Sequence, residues 1–92
     1  MQFEWDPVKD RLNQTKHGIS FVEATTVFDD PLQWTIPDPD HSLYERRYLT
    51  TGLSAEGRLL IVAHTEEADD RMRIINAPAA TTAERKTYEE GG

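Results

Sequence analysis

Histidines stand at positions 17, 41 and 64. An imidazole ordinarily titrates near neutrality, so each is suited to taking or giving a proton. Arg58, Arg71, Arg73 and Arg85 carry planar guanidinium forks that match the oxygens of a phosphate group. Tyr88, just after Arg85, has a ring that could stack on an unpaired base and a hydroxyl that could bond a phosphate. Together these types allow proton transfer on a substrate whose negative charge rises during reaction. Each residue also has a plainer use. His17 could simply end a helix where the dipole favours a cation, and His64 could be a hydrogen-bonded core residue. Arg71 and Arg73 could be sheet-surface charges paired with Glu66, Glu67, Asp69 or Asp70, and Tyr88 could pack a helix onto the sheet.

Other chemistries find no support. The chain has no cysteine, which removes disulfides, thiolate metal sites and thiol catalysis together. Asp38-Pro-Asp-His41 offers two carboxylates and an imidazole, but Leu43 and Leu49 occupy the positions where a calcium loop needs Gly and Glu. The histidines lack zinc-ligand spacing, and neither a serine nucleophile elbow nor a glycine-rich phosphate loop is present. No metal and no cofactor is expected.

The elements that must position these residues follow from pattern. Phe3 and Trp5 alternate with polar neighbours as a short strand, and Asp6-Pro7 starts a helix over PVKDRLNQTKH that Gly18 should stop. Ser20 and Glu23 have capping-box spacing for a second helix with Phe21, Ala24, Thr25 and Phe28 on one face, ended by Asp29-Asp30-Pro31. Leu32, Trp34 and Ile36 alternate as a strand that Pro37-Asp-Pro-Asp halts. Arg47, Leu49, Thr51 and Leu53 alternate in the next, before a hairpin turn over 54–57. LLIVA, 59–63, is the one continuously apolar run and predicts a central strand. After a turn at 68–70, Met72 and Ile74 share one face of the last strand, with Arg71, Arg73 and Ile75 on the other. A joint of small residues, Ala77-Pro78-Ala79-Ala80, then leads to a helix capped by Thr81 or Thr82. The order β-α-α-β-β-β-β-α predicts an α+β domain, with a twisted, mostly antiparallel sheet and helices packed on one side.

Ninety-two residues suffice for a single domain, 1–92, and only marginally for independent stability. No apolar run approaches the about 18 residues of a membrane span, and the charged start MQFEWDPVKD gives no expectation of a leader. A cytoplasmic protein is expected. The net charge of −7 argues against general nucleic-acid binding. The charge is uneven, however. Residues 21–45 hold six acids and no Lys or Arg, whereas 46–58 hold Arg46, Arg47 and Arg58 against Glu56.

With the elements placed, the segments FEWDPVKDRLNQTKHGISFVEATTVFDDP, GLSAEGRLLIVAHTE, RMRIINA and TAERKTYEE resemble the BrnT family of type II toxin–antitoxin toxins over nearly the whole chain. The phrase KHGISFVEATTVFDDP is long and unusual. The resemblance implies a RelE-like ribonuclease fold, RNA-cleaving toxin activity without a metal, and neutralisation by a BrnA-type antitoxin. It implies that operator DNA is met only indirectly, through that antitoxin. His17, Arg58, His64 and Arg73 match family positions and are the expected catalytic set; Arg71, Arg85 and Tyr88 are the expected RNA contacts. In such cleavage the neighbouring 2′-hydroxyl attacks phosphorus, a base takes its proton, an acid protonates the leaving 5′-oxygen, and cations offset the added charge. A concave sheet surface is expected to gather His64, Arg73 and their neighbours around one linkage. The chain departs from the pattern at Pro78 and Ala79, where the family carries arginine and lysine. That implies either a weakened enzyme or a silenced homologue acting as an antitoxin-binding co-repressor subunit. The acidic 21–45 region and an exposed sheet edge are the expected antitoxin surfaces.

Overall fold

Asp6 separates strand β1 (Gln2–Glu4) from helix α1 (Pro7–His17). Its carboxylate accepts the Val8 N–H at 2.9 Å, and Pro7 occupies a first-turn position that needs no donor. Gly18 closes α1 at φ +71°, its N–H donating to the Gln14 carbonyl at 2.8 Å. Ser20 caps α2 (Phe21–Thr25) by accepting the Glu23 N–H at 3.0 Å. Glu23 does not return the bond. Its carboxylate turns to Ser54 and Arg58, so the expected capping box is only half made. The expected single second helix is likewise split, since Thr26–Asp29 tighten into a 3-10 turn.

The computed structural model describes residues 1–40, 46–67 and 70–91. Strands β2 (Trp34–Pro37), β3 (Arg47–Leu53), β4 (Leu59–Glu67) and β5 (Arg71–Asn76) join β1 in one sheet of order β1-β5-β4-β3-β2. β1 is parallel to β5 and every other pair is antiparallel. The apolar run at 59–63 thus lies in the middle strand, as its composition predicts. The hairpin turn is closed by Ser54 N–H to the Arg58 carbonyl at 2.8 Å, with Gly57 at φ +80°. Of the turn expected at 68–70, residues 68 and 69 lie outside the described residues, as does His41 of the acidic loop.

Opposite partners in the ladder share a face, which sorts the sheet into two surfaces. Phe3, Thr50, Leu60, Val62, His64, Met72 and Ile74 face α1 and α2. Most of these pack with Ile19, Phe21, Ala24 and Val27 into the core. Glu4, Arg73, Thr65 and Arg47 lie across from one another on the reverse surface, with Leu49, Thr51 and Ile61 further along it. Gly52 marks where the 3-10 turn presses on β3: a Cβ there would sit 2.7 Å from a Val27 methyl. Buried Asn13 joins α1 to the end of β5. Its amide donates to the Ile19 and Ala77 carbonyls at 2.8 and 3.0 Å, and its oxygen accepts the Ala77 N–H at 3.1 Å.

Pairing between β4 and β5 shifts beyond His64. His64 opposes Ile74 and Ala63 opposes Asn76, leaving Ile75 as an extra residue on β5. This bulge interrupts the alternation expected for Arg71, Arg73 and Ile75 and turns Ile75 out of the regular pleat. The small-residue joint continues the sheet alongside β4. The Pro78 carbonyl accepts the Ile61 N–H at 3.0 Å, and Ala80 N–H donates to the Leu59 carbonyl at 2.9 Å. Helix α3 (Thr82–Glu89) then starts with a complete capping box between Thr81 and Glu84. The expectation of helices on one side describes α1 and α2. Glu84 and Thr87 of α3 line a cleft with Trp34, Ile36, Leu49, Thr51 and Ile61 of the reverse surface. Among the described residues no helix is long and apolar enough to cross a membrane.

Candidate functional site

The expected catalytic set does not assemble as one centre. His64 is 1% exposed and lies on the core-facing surface of β4, whereas the exposed Arg73 belongs to the reverse surface of β5. The cause is the pleat: His64 opposes Ile74 and Arg73 opposes Thr65, so the two side chains leave the sheet in opposite directions. The concave gathering of His64 and Arg73 is therefore corrected.

His64 is held as a core residue. Its Nε2 lies 2.7 Å from the Thr50 hydroxyl, which itself lies 2.7 Å from the Thr35 hydroxyl. Phe28 meets the imidazole edge-on at 5.1 Å and Tyr48 stacks on it at 5.8 Å. Burial pushes its pKa down to about 4, so the ring is neutral at physiological pH. No substrate reaches it in this fold.

Arg58 is likewise occupied. Its Nε donates to Glu23 Oε2 at 2.9 Å, and its terminal nitrogen bonds both the other Glu23 oxygen and, at 3.1 Å, the Gly18 carbonyl. Ser54 adds a hydroxyl bond to Glu23 at 2.7 Å. The Arg58 hydrogen bond holds the buried Glu23 carboxyl below the usual range, outweighing desolvation, and Ser54 assists. Arg58 thereby clamps the β3–β4 hairpin to the joint between α1 and α2, directly behind His17.

Tyr88 anchors α3. Its hydroxyl donates to Asp30 at 2.5 Å, which pushes its own pKa up to about 12. Desolvation would raise the Asp30 carboxyl, but bonds from the Leu53 N–H, Tyr88 and the Leu32 N–H keep it lowered. Arg85 is exposed on the same helix, and Arg71 borders a recess with Met1, Glu66 and Asp70. None of these three lines the surface where α1 borders β5.

That surface is the groove between α1 and β5. Lys9, Leu12, Asn13, Thr15, Lys16 and His17 face Ile75 and Asn76 across a recess of about 500 Å³. A second recess, of about 280 Å³, adjoins it at Lys9 and is lined by Glu4, Trp5, Asp6, Arg73 and Ile74. Two devices create it. β1 ends at Glu4, so the rest of β5 lacks a neighbour on that side, and the bulge at Ile75 turns that side chain toward α1. Lys9, Lys16 and half-buried His17 thus line the larger recess and Arg73 the smaller one, the two meeting at Lys9. Sequence reading found His17 and Arg73 but missed Lys9, Lys16 and Asn76. The lysines had a signal: positions 9, 12, 13 and 16 fall on one helical face. The bulge that presents Asn76 had none.

The fold and groove were then compared with known proteins. The sequence profile of the "Ribonuclease toxin, BrnT, of type II toxin-antitoxin system" matches residues 5–84. The crystal structure of the Brucella abortus ribonuclease toxin BrnT superposes with a TM-score of 0.70 at 18% identity, covering 89% of this chain and 99% of that one. A likeness at that identity speaks for the fold alone. A search of curated protein sequences finds no match. The profile match spans both walls of the groove, from Trp5 through α1 to β5 and into α3, and on it the chain belongs to the BrnT family of ribonuclease toxins of type II toxin–antitoxin systems.

Proposed function

We propose that this family member cleaves RNA without a metal, in the channel between α1 and β5. The observation that carries the reading is a pair of recesses that meet at Lys9, one lined by Lys16 and His17 and the other by Arg73, on a chain whose net charge is −7. A protein so acidic repels nucleic acid over most of its surface, so clustered cations favour phosphate at one place. Arg73 and the lysines offset the charge that builds on phosphorus, and His17 exchanges a proton with the 2′- or 5′-oxygen. His64 and Arg58 support the scaffold in this scheme rather than touch RNA. Arg71, Arg85 and Tyr88 stand outside the channel and serve, at most, a longer RNA strand. The kinship with RelE-like folds belongs to the same proposal, as do a cytoplasmic setting, a BrnA-type antitoxin as neutralising partner, and contact with operator DNA only through that antitoxin.

Purified protein incubated with single-stranded RNA and excess chelator should produce fragments ending in a 2′,3′-cyclic phosphate. Intact RNA after long incubation would remove the claim. A second reading, a silenced toxin that only binds antitoxin, draws on the joint: Ala79 is exposed and carries no charge where the family pattern has a cation. Pro78→Arg with Ala79→Lys separates the two. Toxicity that appears only in the restored chain supports silencing, and equal behaviour of both chains removes it.

A further inference from the structure

The smaller recess has a composition that phosphate binding does not explain. Lys9 and Arg73 would suffice to hold a phosphate, yet Glu4 and Asp6 stand among them and Trp5 forms a wall. Carboxylates beside a phosphate weaken its binding, so a site for the backbone alone gains nothing from them. Asp6 is accounted for as the cap of α1, through its bond to the Val8 N–H. Glu4 is not so employed. It lies directly across from Arg73 in the β1–β5 ladder, half-buried, at the edge of the recess. Trp5 is packed against the core, its ring perpendicular to that of buried Phe21 with centroids 6.1 Å apart. A core-packed indole, an acceptor-only carboxylate and two cations line one opening.

A nucleotide supplies a counterpart to each. The phosphate answers the cations, the flat base answers the indole, and the base edge answers the carboxylate. An ionised carboxylate accepts but does not donate, and its two oxygens suit two adjacent N–H donors. Guanine presents that pair on its Watson–Crick edge, N1–H beside the N2 amino group. Adenine and cytosine set a ring-nitrogen acceptor beside their amino group, and uracil flanks its single N–H with carbonyls; each turns a lone pair toward the carboxylate. We infer that Glu4, Trp5, Lys9 and Arg73 form a guanine-nucleotide subsite beside the proposed cleavage channel, Glu4 reading the base, Trp5 stacking on it and the cations holding its phosphate.

The inference rests on the channel being the RNA site, but it can be tested without cleavage. Guanosine 3′-monophosphate, and the adenosine, cytidine and uridine equivalents, would be titrated into the Trp34→Phe protein, leaving Trp5 as the fluorescent reporter. Tighter binding of the guanine nucleotide by about tenfold or more is expected, the size of one bidentate base contact. Glu4→Gln should bring the four affinities close together, and Trp5→Leu, titrated by calorimetry because the reporter is then gone, should weaken all four. Equal affinities in the unmutated recess, or a guanine preference that survives Glu4→Gln, would overturn the subsite. The cleavage assay separates the two ideas. RNA cut without regard to guanine leaves the nuclease standing and removes the subsite. Selective nucleotide binding by a chain that leaves RNA intact supports the subsite and removes the nuclease.

Discussion

His64 shows how one residue can match a family pattern and a chemical role yet be placed for neither in solvent. Its environment makes a pH prediction. The folded pKa is about 4 against an ordinary 6.5, so between those values the unfolded chain takes up a proton that the folded chain refuses. Stability from this site is complete above pH 6.5 and falls as the pH drops toward 4, by up to about 3 kcal/mol. Glu23, whose pKa is lowered from 4.5, acts in a separate window: its contribution is lost only as the pH falls below that value. Urea unfolding at about pH 7 and about pH 5 should show the His64 slope, and His64→Gln should flatten it. A slope unchanged by the substitution would contradict the buried, neutral imidazole. Arg58 carries a second prediction. Arg58→Ala should lower the melting midpoint by stranding the buried Glu23 carboxylate, and adding Glu23→Gln should recover part of the loss. Additive losses in the double variant would mean that the two side chains act independently.

At the scale of elements, the ends of helices were the most legible features. Asp6-Pro7 and Gly18 are local devices, built from neighbours in sequence, and the structure uses each as its spacing predicts; of the two caps open to the last helix it takes Thr81, in a box with Glu84. Ser20–Glu23 failed halfway because a residue far along the chain, Arg58, outcompeted the backbone for the carboxylate. The strands were legible from alternation, and the central position of 59–63 from its unbroken apolar character. The sides on which His64 and Arg73 emerge follow from register, and register is set by pairing between strands rather than by either strand alone. The same holds for the bulge at Ile75, which opens half of the candidate channel. Asn13 is the element-scale test, because its side chain ties α1 to both Ile19 and Ala77. Asn13→Ala should cost about 3 kcal/mol, since it strands buried backbone groups at both ends of the channel wall. A loss under about 1 kcal/mol in denaturant unfolding would show that α1 is held by other contacts.

For the whole molecule, the acidic sequence and the cationic channel describe one division of labour. Cations line the recesses where α1 meets β5, while the stretch from Glu23 to Asp40 carries acids and no Lys or Arg. RNA binding should therefore weaken steeply with added salt even though the protein is acidic overall, because the response follows local phosphate contacts rather than net charge. The outer edge of β2, unpaired among the described residues, and the acidic stretch remain the proposed antitoxin surfaces; residues 41–45 of that stretch lie outside the described residues. The measurement that bears most directly on the whole account is metal-free RNA cleavage by His17→Gln, Arg73→Ala and His64→Gln proteins beside the unmutated chain, each shown to be folded. Losses of about a hundred- to a thousandfold are predicted for the first two, with His64→Gln cutting close to the unmutated rate. Full activity in the His17 and Arg73 variants, or its collapse in the His64 variant alone, would contradict the assignment of the site to the channel between α1 and β5.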